Sequence, residues 1–379
     1  MHDILLYALP LFLACMLGEW AWGCWRGRNT YGWADTLSSL SQGLLSQGVA
    51  LLTPLMQSGL YAAVQPRIAL LPAGLWSGLA GTLGAVLLYD FCDYWLHRVS
   101  HESALFWAAH AVHHQSEHFN LSTALRQESF YSVMGWPFFL PMALLGVPTS
   151  QFLLAGIVVL FYQFWIHTEH IGRLGWLDRV FSTPSNHRVH HAVNPGYLDR
   201  NYGAILVVWD RLFGSFTEER EPCVYGTVKP LASWNPIWAV GQFYAELWQR
   251  MRATPRLIDR LRVLFKSPGW LPPGMPVPTA TPPQERLLQP RYDPPSSPAA
   301  RALATLTFLA QAVACIAWLD QADALGPARN VAAGAALTAG LWCTGRLLAL
   351  DTRARAAAAS ALAATGILLA LAIGLLSNT

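Results

Sequence analysis

The sequence predicts an all-α fold: a polytopic membrane protein whose helices carry a cytosolic, histidine-rich cap with a site for two metal ions. Three observations lead there. Of 379 residues, 53% are hydrophobic and only 12% charged, whereas soluble domains are about 25% charged. Up to eight apolar stretches approach the roughly 20 residues that a helix needs to cross about 30 Å of hydrocarbon. Eleven of the twelve histidines fall between His97 and His191.

The apolar stretches come in three sets. The first set, at 4–22, 40–64 and 70–96, leads directly into histidines. The second, at 130–147 and 151–166, is joined only by Pro148, Thr149 and Ser150. That link is short for two full crossings, and a re-entrant hairpin fits it better. The third, at 302–319, 330–350 and 356–376, is rich in Ala, Gly and Leu, with Ala333, Gly334, Ala339 and Gly340 suited to close helix contact in lipid. Residues 1–3 lack a basic n-region and no small-residue cleavage site follows, so the first segment is expected to stay as an anchor.

Lys and Arg in short loops set orientation. Arg26 and Arg28 follow the first span, Arg353 and Arg355 precede the last, and 170–300 is rich in both types, whereas Asp320 and Asp323 lie between. The expected topology puts the N-terminus in the periplasm or lumen and the histidines in the cytosol. The Ala/Gly/Arg-rich composition favours a bacterial inner membrane, and an endoplasmic reticulum location would use the same topology. A net charge of +3 is explained by loops beside an anionic leaflet and gives no reason to expect nucleic acid. Oligomeric state is left open. The six cysteines show no CxxC pair and read as reduced packing residues.

The chemistry lies in the histidine boxes. His97 and His101 are four apart at the end of the third span, where helical stacking lets both reach one metal. His110, His113 and His114 have spacings of three and four, and His187, His190 and His191 repeat them. His167 and His170 flank Thr168 and Glu169 at the end of the fifth span. A zinc site uses three or four ligands and a haem one or two, so eight to ten imidazoles imply two ions. Nitrogen donors alone suit several metals; iron is favoured because unreactive carbon–hydrogen bonds of an apolar substrate require an oxidising centre. A zinc protease is disfavoured, since His101-Glu102 lacks the second histidine of His-Glu-x-x-His. A metal transporter would place ionisable groups at the bilayer midplane, whereas these cluster at span ends and beyond.

Four segments carry a resemblance: Tyr94 to Arg98 with His101-Glu102; His110 to His114 running into Asn120 to Gln127; Tyr162 to Glu169; and Thr183 to His191, continued by Asn201-Tyr-Gly203 and Trp209 to Gly214. Together they resemble the fatty acid hydroxylase superfamily, which includes sterol desaturases, and within it the alkylglycerol monooxygenases. The resemblance implies His97, His101, His110, His113, His114, His167, His187, His190 and His191 as ligands of two Fe ions, and Glu102 and Glu169 as catalytic carboxylates supporting the metals or a pterin. His170 departs from the pattern and is carried as a tenth candidate, either a further ligand or a helix cap. Glu128 is a second departure, a carboxylate where a small polar residue is expected. Arg126 and Gln127 read either as contacts to a headgroup or cofactor or as solvated loop anchors.

The resemblance further implies hydroxylation of a lipid by O2, one oxygen entering the lipid and the other leaving as water, with tetrahydrobiopterin as cofactor. Hydroxylation beside an ether oxygen gives a hemiacetal that falls apart to an aldehyde and a glycerol derivative. The alternative is a sterol or other lipid desaturase or hydroxylase fed by a redox-protein donor. The expected organisation is N-terminal spans at 1–80, a fatty acid hydroxylase-like catalytic region at 81–220, an amphipathic cytosolic segment with a Pro-rich linker at 221–298, and a three-helix tail at 299–379.

Overall fold

The computed structural model describes residues 2–53, 57–275, 288–349 and 354–372. Among these the fold is all-helical: two isolated antiparallel bridges, Phe181 with Leu206 and Ala192 with Tyr225, are its only extended pairings. The core of the Pro-rich linker, residues 276–287, lies outside the described residues.

Among the described residues, two helices are long and apolar enough to cross a membrane: α1 (His2–Trp25), over its last 18 residues, and α14 (Pro298–Leu348). Two more, α9 (Thr149–Trp165) and α15 (Ala354–Ala372), are apolar with shorter qualifying segments. On α1 the side chains of Leu11, Leu13, Leu17, Trp20 and Trp22 face outward. Glu19 turns inward, accepting bonds from the Tyr31 hydroxyl at 2.6 Å, the Leu121 amide at 2.8 Å and the Thr168 hydroxyl.

The stretch expected at 40–64 is divided between α2 (Trp33–Leu52) and α3 (Gln57–Ile68). The burial of α2 explains its polarity: Asp35, Ser38, Ser39, Ser41, Gln42 and Ser46 are all enclosed. Gln42 donates to the Pro236 carbonyl, and Asp35 accepts from Ser116 at 2.5 Å. A helix with that many buried polar side chains, several of them hydrogen-bonded to other elements, packs among protein elements rather than against lipid. The next stretch opens with a 3-10 turn (Ala73–Trp76) and is α-helical only from Gly78, as α4 (Gly78–Glu102). It exposes Leu79, Leu83 and Leu87 at helical spacing near its start and buries His97 and His101 near its end.

Segment 130–147 is broken into α7 (Tyr131–Gly135), a 3-10 turn (Trp136–Phe139) and α8 (Leu140–Leu144), with Pro137 and Pro141 near the starts of the last two. Proline removes an amide donor and favours such starts. This returning segment, α4 and α9 pack around Leu96, Phe139, Met142 and Phe152.

In the tail, α14 is broken at Gly326, whose φ of 73° leaves the helical region just before Pro327. Trp318, fully buried, donates its indole N–H to Asn330 at 2.9 Å across that break, and packs with Leu337 and Leu341 against α2. Gly345 brings α14 so close to the start of α12 (Pro236–Ala253) that a Cβ there would lie 2.3 Å from the Trp234 carbonyl oxygen.

Candidate metal centre

The four histidine-bearing segments meet above the helices. The ends of α4 and of α5 (Ala104–His114) bring two boxes together, the turn after α9 brings His167, and α10 (Pro184–His191), opened by Pro184 at its first position, brings the last. Nine imidazoles form two groups: His97, His101, His110, His114 and His190 in one, His113, His167, His187 and His191 in the other. Within each group one ring nitrogen per residue lies within 4.8 Å of all the others. Each His-x-x-His-His box therefore splits, its i, i+4 pair serving one group and its middle histidine the other. Burial pushes His110, His113, His114, His167, His187, His190 and His191 below the ordinary imidazole range, so they are neutral.

Hydrogen bonds fix which nitrogen is free. A carbonyl only accepts, so Nδ1 carries the proton wherever it faces one. That holds for His97 on Tyr202 O (2.8 Å), His113 on Arg126 O (3.0 Å), His167 on Gln163 O (2.7 Å) and His190 on Arg200 O (3.0 Å). Their Nε2 atoms are bare lone pairs, yet those of His113 and His167 stand 3.3 Å apart. Nε2 of His110 faces those of His97 at 3.2 Å and His114 at 3.0 Å. In the His97–His110 and His113–His167 pairs both Nδ1 atoms are held by acceptors, so the facing Nε2 atoms have no proton to share and repel one another unless a cation lies between them. Buried Nε2 atoms of His101 and His190 and Nδ1 of His187 have no hydrogen-bond partner among the described residues. The donor set, all imidazole nitrogen, fits divalent transition metals.

The supporting shell comes from distant parts of the chain. Asp210, fully buried, accepts from the Tyr202 and Gly203 amides and the Ser215 hydroxyl at 2.7–2.8 Å, fixing the carbonyl that holds His97. Asp90 does the same for the turn at 205–209, through the Ile205 and Leu206 amides and the Trp209 indole. Asn201 takes a left-handed φ of 56° and bonds the Asn186 and Thr217 carbonyls, which ties this turn to the start of α10. Phe119 lies against His167, His187 and His191.

Three sequence-derived candidates stand apart from both groups. His170 lies beside Gly23 of α1 because the helix ends at Trp165, so the i, i+3 alignment with His167 is lost. Glu102 is half-exposed and paired with Arg98 at 3.0 Å, and Glu169 faces Arg28 at 3.9 Å. Arg126 is neither a headgroup contact nor a solvated anchor. It is 1% exposed and donates to Val112 O, Ser38 Oγ and Gln115 Oε1 at 2.6–3.1 Å. The residues that sequence reading left without a role are Asp90, Asp210, Tyr202 and Phe119; Asn201-Tyr-Gly203 and Trp209 to Gly214 were visible only as parts of the resemblance.

An all-helical fold enclosing two groups of converging imidazoles defines a protein with a paired histidine site suited to metal ions. Residues 82–215 match the model of the fatty acid hydroxylase family. It is 38% identical over 274 residues to the alkylglycerol monooxygenase of Homo sapiens, covering 71% of this chain and 60% of that one. It is 35% identical to an ornithine lipid hydroxylase of Rhizobium tropici, over 37% of this chain and 42% of the relative. With a Delta(7)-sterol 5(6)-desaturase of Aspergillus fumigatus it shares 30% identity, over 34% and 36%. The chain thus spans about 60% of the length of the alkylglycerol monooxygenase it matches. No solved structure gives a significant match.

Proposed function

We propose that this chain is a polytopic membrane di-iron oxygenase that hydroxylates a lipid with O2, and that its substrate is an alkylglycerol ether lipid with tetrahydrobiopterin as electron source. The observation that carries the metal part is two groups of converging imidazoles, in each of which a facing pair of Nε2 atoms, His97–His110 and His113–His167, has no proton to share. The substrate and pterin rest on the similarity to alkylglycerol monooxygenase.

His97, His101, His110, His114 and His190 would hold one iron, and His113, His167, His187 and His191 the other; His170 is proposed as a support near α1 rather than a ligand. A bound iron pair supplies the oxidising power that acid–base groups lack. The chain's own part is to bury nine imidazoles and aim them at the two positions. Glu102 and Glu169, outside both groups, are proposed to receive polar parts of the cofactor or headgroup. Residues 81–220 would form the catalytic region on the cytosolic side of a bacterial inner membrane. The outward Leu79, Leu83 and Leu87 of α4 would sit in lipid beneath it, letting substrate enter laterally.

Oxygen uptake by the purified chain, with an alkylglycerol and tetrahydrobiopterin, tests this. Uptake with release of a fatty aldehyde, abolished in His113→Ala, is expected. Uptake driven only by a redox-protein donor would replace ether cleavage with the desaturase or hydroxylase reading, and no uptake with either donor would refute both.

A further inference from the structure

We propose that Glu128 is a positioning residue that makes the five-histidine group the tighter of the two iron positions; this rests on the di-iron reading. Its carboxylate accepts from Nδ1 of His110 at 2.6 Å, and its side chain is only 11% exposed. Every other hydrogen-bonded Nδ1 at the site ends on a neutral backbone carbonyl. His101 faces Asp199 at 3.5 Å, but that carboxylate is 60% exposed and screened by solvent. The four-histidine group has no hydrogen-bonded carboxylate among the described residues, and the Glu128 charge reaches its His113 only through space. The two positions are therefore unequal in their hydrogen-bonded support, and the inequality lies at the Glu128 to His110 contact.

A carboxylate on the far nitrogen of an imidazole fixes the tautomer and raises the basicity of the nitrogen that binds metal, and its loss lowers affinity about 10–100-fold. The geometry is held from both sides. Tyr131 packs against the His110 ring at 5.1 Å between centroids. Two residues before Glu128, the buried guanidinium of Arg126 anchors the backbone, and the Arg126 carbonyl orients His113 of the other group. One short segment thus supports a histidine in each group, through a charge in one case and a neutral carbonyl in the other.

The test is anaerobic titration of the full-length apoprotein with ferrous iron, followed by Mössbauer spectroscopy. Wild type should bind two irons in two steps. Glu128→Gln, which keeps a hydrogen-bond acceptor but removes the charge, should weaken the tighter step about 10–100-fold, weaken the other far less, and alter chiefly the spectrum of one iron. In a His110→Ala background the same substitution should have no further effect, because Glu128 acts through His110. Two irons bound with both steps unchanged in Glu128→Gln, or an equal effect with His110 absent, would overturn the role of Glu128 alone. Wild type that binds no iron would overturn the di-iron reading itself.

Discussion

Arg126→Met replaces the guanidinium that ties the segment after α6 (Leu121–Ala124) to α5 and α2. The side chain makes three hydrogen bonds, at 2.6, 3.1 and 3.0 Å. Each bond from a charged donor contributes about 1.5–3 kcal/mol, and each buried acceptor left unpaired costs about 1–3 kcal/mol. Against this stands the desolvation of a buried cation with no carboxylate in contact, several kcal/mol, which methionine relieves. That burial already lowers the guanidinium pKa to about 10. The net expectation is a loss of about 2–5 kcal/mol. On a scale of roughly 2–4 °C per kcal/mol for large domains, the melting midpoint should fall by at least about 4 °C. Tryptophan fluorescence of the detergent-purified chain reads the transition. A midpoint within about 1 °C of wild type would refute the argument, since it would mean that the guanidinium bonds add nothing beyond what methionine packing restores.

Other consequences follow from the same reasoning. Asp210→Asn puts an amide donor where three donors converge; it should cost about 1.5–3 kcal/mol and weaken iron binding through the Tyr202 carbonyl, measured by thermal unfolding and metal titration. Gly345→Ala forces a Cβ against the Trp234 carbonyl; a loss of about 1–3 kcal/mol is expected, read as a lower midpoint with oxygen uptake retained once folded. Trp318→Ala empties the fully buried centre of the α2 and α14 packing and should cost about 3–5 kcal/mol, with unfolding of the tail followed by protease sensitivity.

The histidine boxes were legible because spacings of three and four place side chains near one helix face. Their partition was not. Successive residues on a helix are about 100° apart, so His113 and His114 aim at different groups although both belong to the same box. Deciding which belongs where takes the crossing of α4, α5 and α10, a tertiary fact. The supports were hidden for a related reason: Asp90 and the Trp209 indole it receives are 119 residues apart, and sequence separation carries no sign of that contact. The helices were legible as apolar runs, but 40–64 and 70–96 were read longer than they are. Hydropathy does not distinguish a lipid-facing helix from α2, whose serines and Gln42 are buried inside the protein. His170 was grouped with His167 by assuming that the helix continues, whereas it stops at Trp165.

The most direct test is to count metal in the purified wild-type chain and in His114→Ala and His191→Ala, one ligand from each group. The account predicts two irons per chain in wild type and about one in each variant, with different Mössbauer signatures for the iron that remains. A single ion per chain, zinc in place of iron, or loss of the same iron in both variants would contradict two separate histidine-held positions.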